Sequence, residues 1–148
     1  MSKSVKLLNA MKNNPNDWEI SQLQTVAKQN SVDWRHDGGS HCVFITEDGR
    51  TLSVPAHRPI KPIYIKKFVA LIERVMFNPD DYHFEIYPLS RENGGGFLIS
   101  YPDFSECISD GETINEAIKN GRDALISTMK TLEFKGFDIP EPSMLAFA

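Results

Sequence analysis

Residues 41–57 read HCVFITEDGRTLSVPAH, and they predict an antiparallel β-hairpin. Apolar residues alternate on both sides of Asp48-Gly49, a dipeptide suited to a two-residue type I′ turn. With that loop Ile45 pairs with Leu52, Val43 with Val54, and His41 with Ala56. Directly opposed residues share a face of a sheet. Val43, Ile45, Leu52 and Val54 are therefore expected to form one apolar patch for helices to cover, with His41 at its end. His57 points to the other face, beside Ser40. Pro55 has no N–H to donate, so its strand lies at an edge or ends there.

Helices and one more strand surround this hairpin. In SVKLLNAMKN, Val5, Leu8 and Met11 recur on one side of a short helix. NNPND is a run of turn formers, and Asp17 is placed to cap a second helix carrying Ile20, Leu23, Val26 and Ala27. VDWRHD alternates, with Val32 and Trp34 facing one way. After the hairpin, RPIKPIYIKKFVALIERV predicts a helix with Pro62 in its first turn. Ile65, Phe68, Val69 and Ile72 then face the sheet, while Lys66, Lys67 and Arg74 face solvent.

A second unit opens at Met76. NPDD is a turn, and YHFEIYPL and GFLISYPDF read as two strands joined through SRENGGG. Tyr82, Phe84 and Ile86 alternate inward, and SECISD adds a short third strand. Thr113 and Glu116 form a T-x-x-E capping box at the head of a long helix. Ile114, Ala117, Ile118, Leu125, Met129 and Leu132 give that helix an apolar face, and Gly136 is its C-cap. FDIPEPS closes the unit as an extended strand.

The formal charge of −4 conceals a division. Up to Val75 there are 11 Lys and Arg against 7 Asp and Glu, giving +4; from Met76 there are 5 against 13, giving −8. A basic unit suits a polyanion, and an acidic unit can compete for the same surface. No run of about 18 apolar residues suggests a membrane span, and the N-terminus lacks a signal-peptide pattern. Cys42 and Cys107 have no metal-type spacing and fit a reduced, cytoplasmic protein.

His41 is the first candidate for chemistry. Histidine accepts and returns protons near neutral pH, and Gly38, Gly39 and Ser40 allow a phosphate close to backbone N–H groups. The competing reading is an ordinary edge histidine. His57 is a candidate phosphate contact or proton donor; it equally suits the end of a strand. Cys42 neighbours His41 but points to the opposite face, so it is read as packing rather than as a nucleophile. Arg35, Arg58, Lys61, Lys66 and Lys67 form a prospective cationic rim, of the kind that positions nucleic-acid backbones. Gly94-Gly95-Gly96 is a hairpin loop, since no helix follows it as a phosphate loop requires. Asp103, Glu106, Asp110 and Glu112 sit mostly in turns, so no metal site is expected.

Residues 31–75, through GGSHCVF, TLSVPAH and KPIYIKKFVALIE, resemble a HicA-type mRNA interferase toxin. Residues 82–143, through FEIYPL, GFLISYPDF, DGETINEA and IPEPS, resemble a HicB-type antitoxin. Toxin before antitoxin is the usual gene order, and Met76 stands where HicB would begin. The resemblance implies an α+β protein of two domains. Residues 1–75 would form a double-stranded-RNA-binding-domain-like α-β-β-β-α unit, and residues 76–148 a partial ribonuclease-H-like β-β-β-α-β unit without metal chemistry.

It further implies a ribonuclease needing no cofactor, with His41 catalytic and Gly39, Ser40, His57, Arg58, Lys61, Lys66 and Lys67 binding an mRNA substrate. Toxin–antitoxin contact is expected within or between chains, in a homo-oligomer. HicB antitoxins often carry a DNA-binding element after the core; here only MLAFA follows EPS, so operator binding is not carried over. Two other readings stand beside the nuclease: a noncatalytic RNA-binding module, and a structural protein–protein module.

Overall fold

The computed structural model describes residues 3–36, 38–57 and 59–143. The chain divides into two compact units, Met1–Met76 with Leu132–Asp138, and Phe77–Thr131 with Ile139–Ala148. Residues 132–138, which the sequence reading assigns to the second unit, cluster with the first.

The first unit runs α1 (Lys3–Asn13), α2 (Ile20–Gln29), β1 (Asp33–Arg35), β2 (His41–Ile45), β3 (Thr51–Pro55) and α3 (Pro62–Met76). Its strands form one antiparallel sheet in the order β1-β2-β3. Helix α2 begins at Ile20 rather than after Asp17, because the Gln22 side chain accepts the Glu19 N–H at 2.9 Å, while Asp17 holds a positive φ of 65°. Helix α3 is the centre of the unit. Ile65, Phe68, Val69, Ala70, Leu71, Ile72 and Glu73 are all buried, more than one stripe, because α3 packs on β3 and also on α1. Phe44 and Phe68 meet at a tilt of 58° with ring centroids 4.9 Å apart and tie the sheet to α3, worth about 1 kcal/mol beyond area burial.

The hairpin differs from expectation by one residue. His41 pairs with Pro55, Cys42 with Val54, Val43 with Ser53, Phe44 with Leu52, and Ile45 with Thr51. Thr46 N–H donates to the Arg50 carbonyl at 2.9 Å, which leaves Glu47, Asp48 and Gly49 as a three-residue loop. Gly49 at φ 86° supplies its left-handed position, the G1-bulge arrangement. The Thr46 hydroxyl holds the loop shut by accepting the Arg50 N–H at 3.0 Å and donating to Asp48.

A slip of one residue exchanges the faces of a strand. Cys42, Phe44 and Val54 are wholly buried, with Leu52 packed beside them, and Val43 and Ile45 are only half-buried. The larger Phe44 ring thus fills the core in place of Val43. His41 stands on the outward face with Pro55, not at the end of the inner patch, and Ser40 rather than His41 lies across from Ala56.

The second unit runs from a 3₁₀ turn (Pro79–Asp81) through β4 (Glu85–Pro88), β5 (Phe97–Ser100) and β6 (Ile108–Gly111) into α4 (Ile114–Lys135). The strands form an antiparallel sheet ordered β4-β5-β6. Gly94, Gly95 and Gly96 all have positive φ within the β4–β5 loop. The Thr113 hydroxyl caps α4 by accepting the Glu116 N–H at 3.1 Å. Ala117, Gly121, Leu125 and Met129 form the buried face, every fourth residue; Ile114 is exposed. A side chain at Gly121 would stand 2.8 Å from Ile99, so that glycine lets the helix lie close to β5. Phe84 is likewise exposed, against its expected inward place, and meets Tyr101 edge-on at 5.8 Å.

The expected last strand over 137–143 is not a sheet strand; residues 137–142 carry no regular secondary structure. Side chains hold it. Tyr82 Oη donates to the Pro140 carbonyl at 2.5 Å, and Asp103 accepts the Ser143 N–H at 3.0 Å.

Candidate functional site

The turn before β2 carries the site. Gly38 adopts φ 75°, and a Cβ added at Gly38 or Gly39 would meet nothing within 4 Å, so this backbone lies open. His36 Nε2 lies 3.1 Å from the Gly39 carbonyl and steadies the turn. The Ser40 hydroxyl lies 2.8 Å from His41 Nδ1. The hydroxyl can donate to Nδ1 or accept from it; in the tautomer whose Nδ1–H donates to Ser40, Nε2 carries the free lone pair. His41 is exposed at the first position of β2, and the Ala56 N–H to Ser40 carbonyl bond of 2.8 Å anchors the turn to the end of β3.

Of the residues singled out in the sequence, Gly39, Ser40 and His41 form this exposed turn. His57 and Lys61 line a small cleft with Pro55, the cross-strand partner of His41. Lys66 lines a different cleft, with Met11, Lys12, Pro15, Val69, Gly136, Phe137 and Asp138. Lys67 is half-buried, its ammonium 5.4 Å from the centre of the Phe134 ring. The cationic rim is thus divided along α3 rather than gathered at one point. Arg58 lies outside the described residues. Arg74, expected in solvent, is partly buried.

Residues 132–138 are a feature the sequence reading missed. Glu133 ion-pairs with Arg50, and Gly136 ends α4 at φ 72° with its N–H bonded to the Glu133 carbonyl and Phe137 N–H to the Leu132 carbonyl, a Schellman cap. Its signal was available in part: Phe134 and Phe137 flank a capping glycine, an apolar pair with no place on the face of α4 set by Ala117, Leu125 and Met129.

Cys42 has no nucleophilic role in this geometry. It is fully buried, and burial pushes its thiol pKa up, partly offset by the Gln24 amide at 3.7 Å. A Ser–His–Asp trio occurs elsewhere, but both Ser143 Oγ at 3.2 Å and Asp103 Oδ2 at 3.7 Å approach the same nitrogen, His83 Nδ1. A proton relay needs its partners on opposite ring nitrogens, so this trio serves to tie down the segment 137–143. Among the described residues, no group of three or more His, Cys, Asp or Glu is placed to hold a metal ion, and no helix is long and apolar enough to cross a membrane.

Residues 85–148 match the family model described as HicB_like antitoxin of bacterial toxin-antitoxin system. The match begins at the first residue of β4 and takes in β5, β6 and α4. It supports the antitoxin part of the expected resemblance over those residues and does not reach residues 1–84. Neither a curated protein nor a solved structure matches the chain.

Proposed function

We propose that the chain joins a HicA-type, metal-independent RNA endonuclease, residues 1–75, to a HicB-type antitoxin unit that restrains it. The observation that carries the nuclease reading is the exposed His41, oriented through Nδ1 by Ser40 beside an open glycine backbone. His41 Nε2 takes the proton from a ribose 2′-hydroxyl, and the 2′-oxygen attacks the adjacent phosphorus. The 5′-oxygen leaves with a proton from His57 or water, and a 2′,3′-cyclic phosphate remains. DNA has no 2′-hydroxyl and is not cut. Backbone N–H groups at Gly39 and Ser40, with Arg58, Lys61, Lys66 and Lys67, hold the phosphates and offset the charge that develops on them.

The unit of two helices, three strands and a helix is consistent with a double-stranded-RNA-binding-domain-like fold, and the β-β-β-α second unit with a partial ribonuclease-H-like one. Residues 76–148 act as antitoxin through their −8 charge against the +4 of residues 1–75, within one chain or between chains of a homo-oligomer in the cytoplasm. Complementary charge speeds such docking and competes with RNA.

The test measures RNA cleavage in EDTA by the full chain and by residues 1–76, checked for folding by circular dichroism, each with and without His41→Ala. The fragment should cut RNA but not DNA of the same sequence, and the full chain should cut more slowly. His41→Ala should lose about 10²- to 10⁴-fold. Cleavage unchanged by His41→Ala sinks the nuclease; RNA binding without cleavage by any version makes the protein a binding module.

A further inference from the structure

The cleft between the end of β3 and the start of α3 is lined by Pro55, His57, Pro59, Ile60, Lys61 and Tyr64 and holds about 130 Å³. We propose that it is a base-binding subsite that seats one unstacked pyrimidine, uracil by preference, of a single-stranded RNA lying across His41. This rests on the nuclease reading and names what its substrate presents beside the reacting phosphate.

Position is the first argument. Pro55 is the direct cross-strand partner of His41, and directly opposed residues share a face. The Pro55 wall of the cleft therefore shares the outward face with His41, one strand spacing of about 5 Å away, while Ile60 and Tyr64 back the cleft against the core.

Shape and chemistry are the second. A cleft of about 130 Å³ has room for one small flat ring. Four of the six described lining residues, Pro55, Pro59, Ile60 and Tyr64, present apolar or aromatic surface. A phosphate would need donors on several sides; a base needs flat apolar walls and a few polar groups, with an aromatic ring to stack on. The prolines fix their own φ, and Ile60 is buried at 2% exposure, so two sides of the cleft are set before any ligand arrives. Lys61 can only donate hydrogen bonds. That ammonium matches a carbonyl of uracil and cannot accept from the amino group on the edge of adenine.

The experiment titrates the ¹⁵N-labelled full chain with uridine 3′-monophosphate, adenosine 3′-monophosphate and inorganic phosphate, in EDTA, and follows the backbone amides of His57, Lys61 and Tyr64 by NMR. Uridine 3′-monophosphate should shift all three and bind at least five-fold more tightly than the adenosine nucleotide. Phosphate should leave Tyr64 unmoved. Tyr64→Leu keeps apolar volume but removes the flat ring, and it should weaken uridine binding about ten-fold. His57→Ala, at an exposed position, should weaken it as well and stands in should Tyr64→Leu disturb the fold.

Equal binding of the two nucleotides, or the full pattern reproduced by phosphate, overturns the subsite. Its failure is separable from that of the nuclease. Absent base binding with His41-dependent cleavage intact removes the cleft alone, whereas base binding with cleavage indifferent to His41→Ala removes the nuclease alone.

Discussion

The Ser40 hydroxyl and His41 Nδ1 lie 2.8 Å apart, on adjacent residues of an exposed turn. The contact orients the ring and leaves Nε2 without a Ser40 partner, and it costs no long-range architecture. A hydrogen bond of this kind contributes about 0.5–1.5 kcal/mol net. Ser40→Ala should therefore slow RNA cleavage about three- to ten-fold, while Ser40→Thr keeps the hydroxyl and most of the rate. Initial rates set against His41→Ala as the floor would show it; equal rates for Ser40→Ala and the unmodified protein would remove Ser40 from the site.

Cys42 reports the hairpin register directly. In the observed pairing it faces the core, and burial raises its thiol pKa; Cys107 is buried and raised in the same way, with Thr128 opposing. A thiolate is the reactive form. Native protein should therefore react with Ellman's reagent at neither cysteine until denaturant is added. One fast thiol, mapped to Cys42, would mean that the two-residue turn and its opposite face are the true arrangement.

That register marks the limit of what sequence pattern resolves here. The first strand of HCVFITEDGRTLSVPAH is apolar on both faces, with Cys42 and Phe44 as good an inward set as Val43 and Ile45, while Leu52 and Val54 face inward in either register. Alternation therefore located the hairpin without choosing its face. The choice lies in the loop, where Thr46 bonds to Asp48 and Arg50, and Asp48-Gly49 is compatible with two or three loop residues. Helices were easier, because α3 and α4 carry strong periodicity, and the Thr113 cap and Gly136 stop are local signals. Nonlocal relationships were not legible: Lys12 with Glu73, Arg50 with Glu133, and Tyr82 with Pro140 join residues far apart in the chain. For the site, His41 and its glycines stood out by composition. Tyr64 did not, since its place in a cleft depends on where β3 ends.

Asp48 should show the electrostatic side of that loop. Its carboxyl is held below the usual range chiefly by the Thr46 hydroxyl, against the opposing effect of burial, with Arg50 and Arg74 adding to the lowering. A folded pKa below the unfolded one gives stability that is present above the ordinary carboxylate range, and it is lost as pH falls through the depressed value. Asp48 is mostly exposed, so the contribution is small. Carbon-detected NMR titration should place its midpoint below that of a free aspartate, and Thr46→Val should move it upward. A midpoint indifferent to Thr46→Val would assign the shift to Arg50.

Lys12 of α1 bonds to the Glu73 carboxylate of α3 at 2.8 Å, with the Glu73 side chain only 3% exposed. A buried carboxylate that loses a cationic partner is costly, about 3–5 kcal/mol where both ions are buried. Lys12 is a third exposed, which lowers the expectation to about 1–3 kcal/mol for Lys12→Ala. Urea unfolding of Lys12→Ala, Glu73→Ala and the double variant should give a coupling of about 1–2 kcal/mol. Strict additivity would mean that the pair does not fasten α1 to α3.

Gly136 provides the last prediction, and a second glycine supplies its control. Both Gly38 and Gly136 sit near φ +75°, at 75° and 72°. Alanine at either pays the left-handed backbone cost, about 1–2 kcal/mol. Their surroundings differ. A Cβ at Gly38 meets nothing within 4 Å, whereas one at Gly136 stands 3.2 Å from both the Lys67 amide nitrogen and its Cγ. That contact is against helix backbone, which cannot swing aside as a side-chain end can. Gly136→Ala should therefore destabilise by about 1 kcal/mol more than Gly38→Ala, a further fall in Tm of about 2–4 °C for a chain of this size. Thermal unfolding of the two variants side by side isolates the packing of residues 132–138 on α3 from the φ penalty that they share. Equal losses would mean that this segment does not rest on Lys67. A larger loss at Gly136 fixes the end of α4 as part of the first unit, on the helix that carries Lys66 and Lys67.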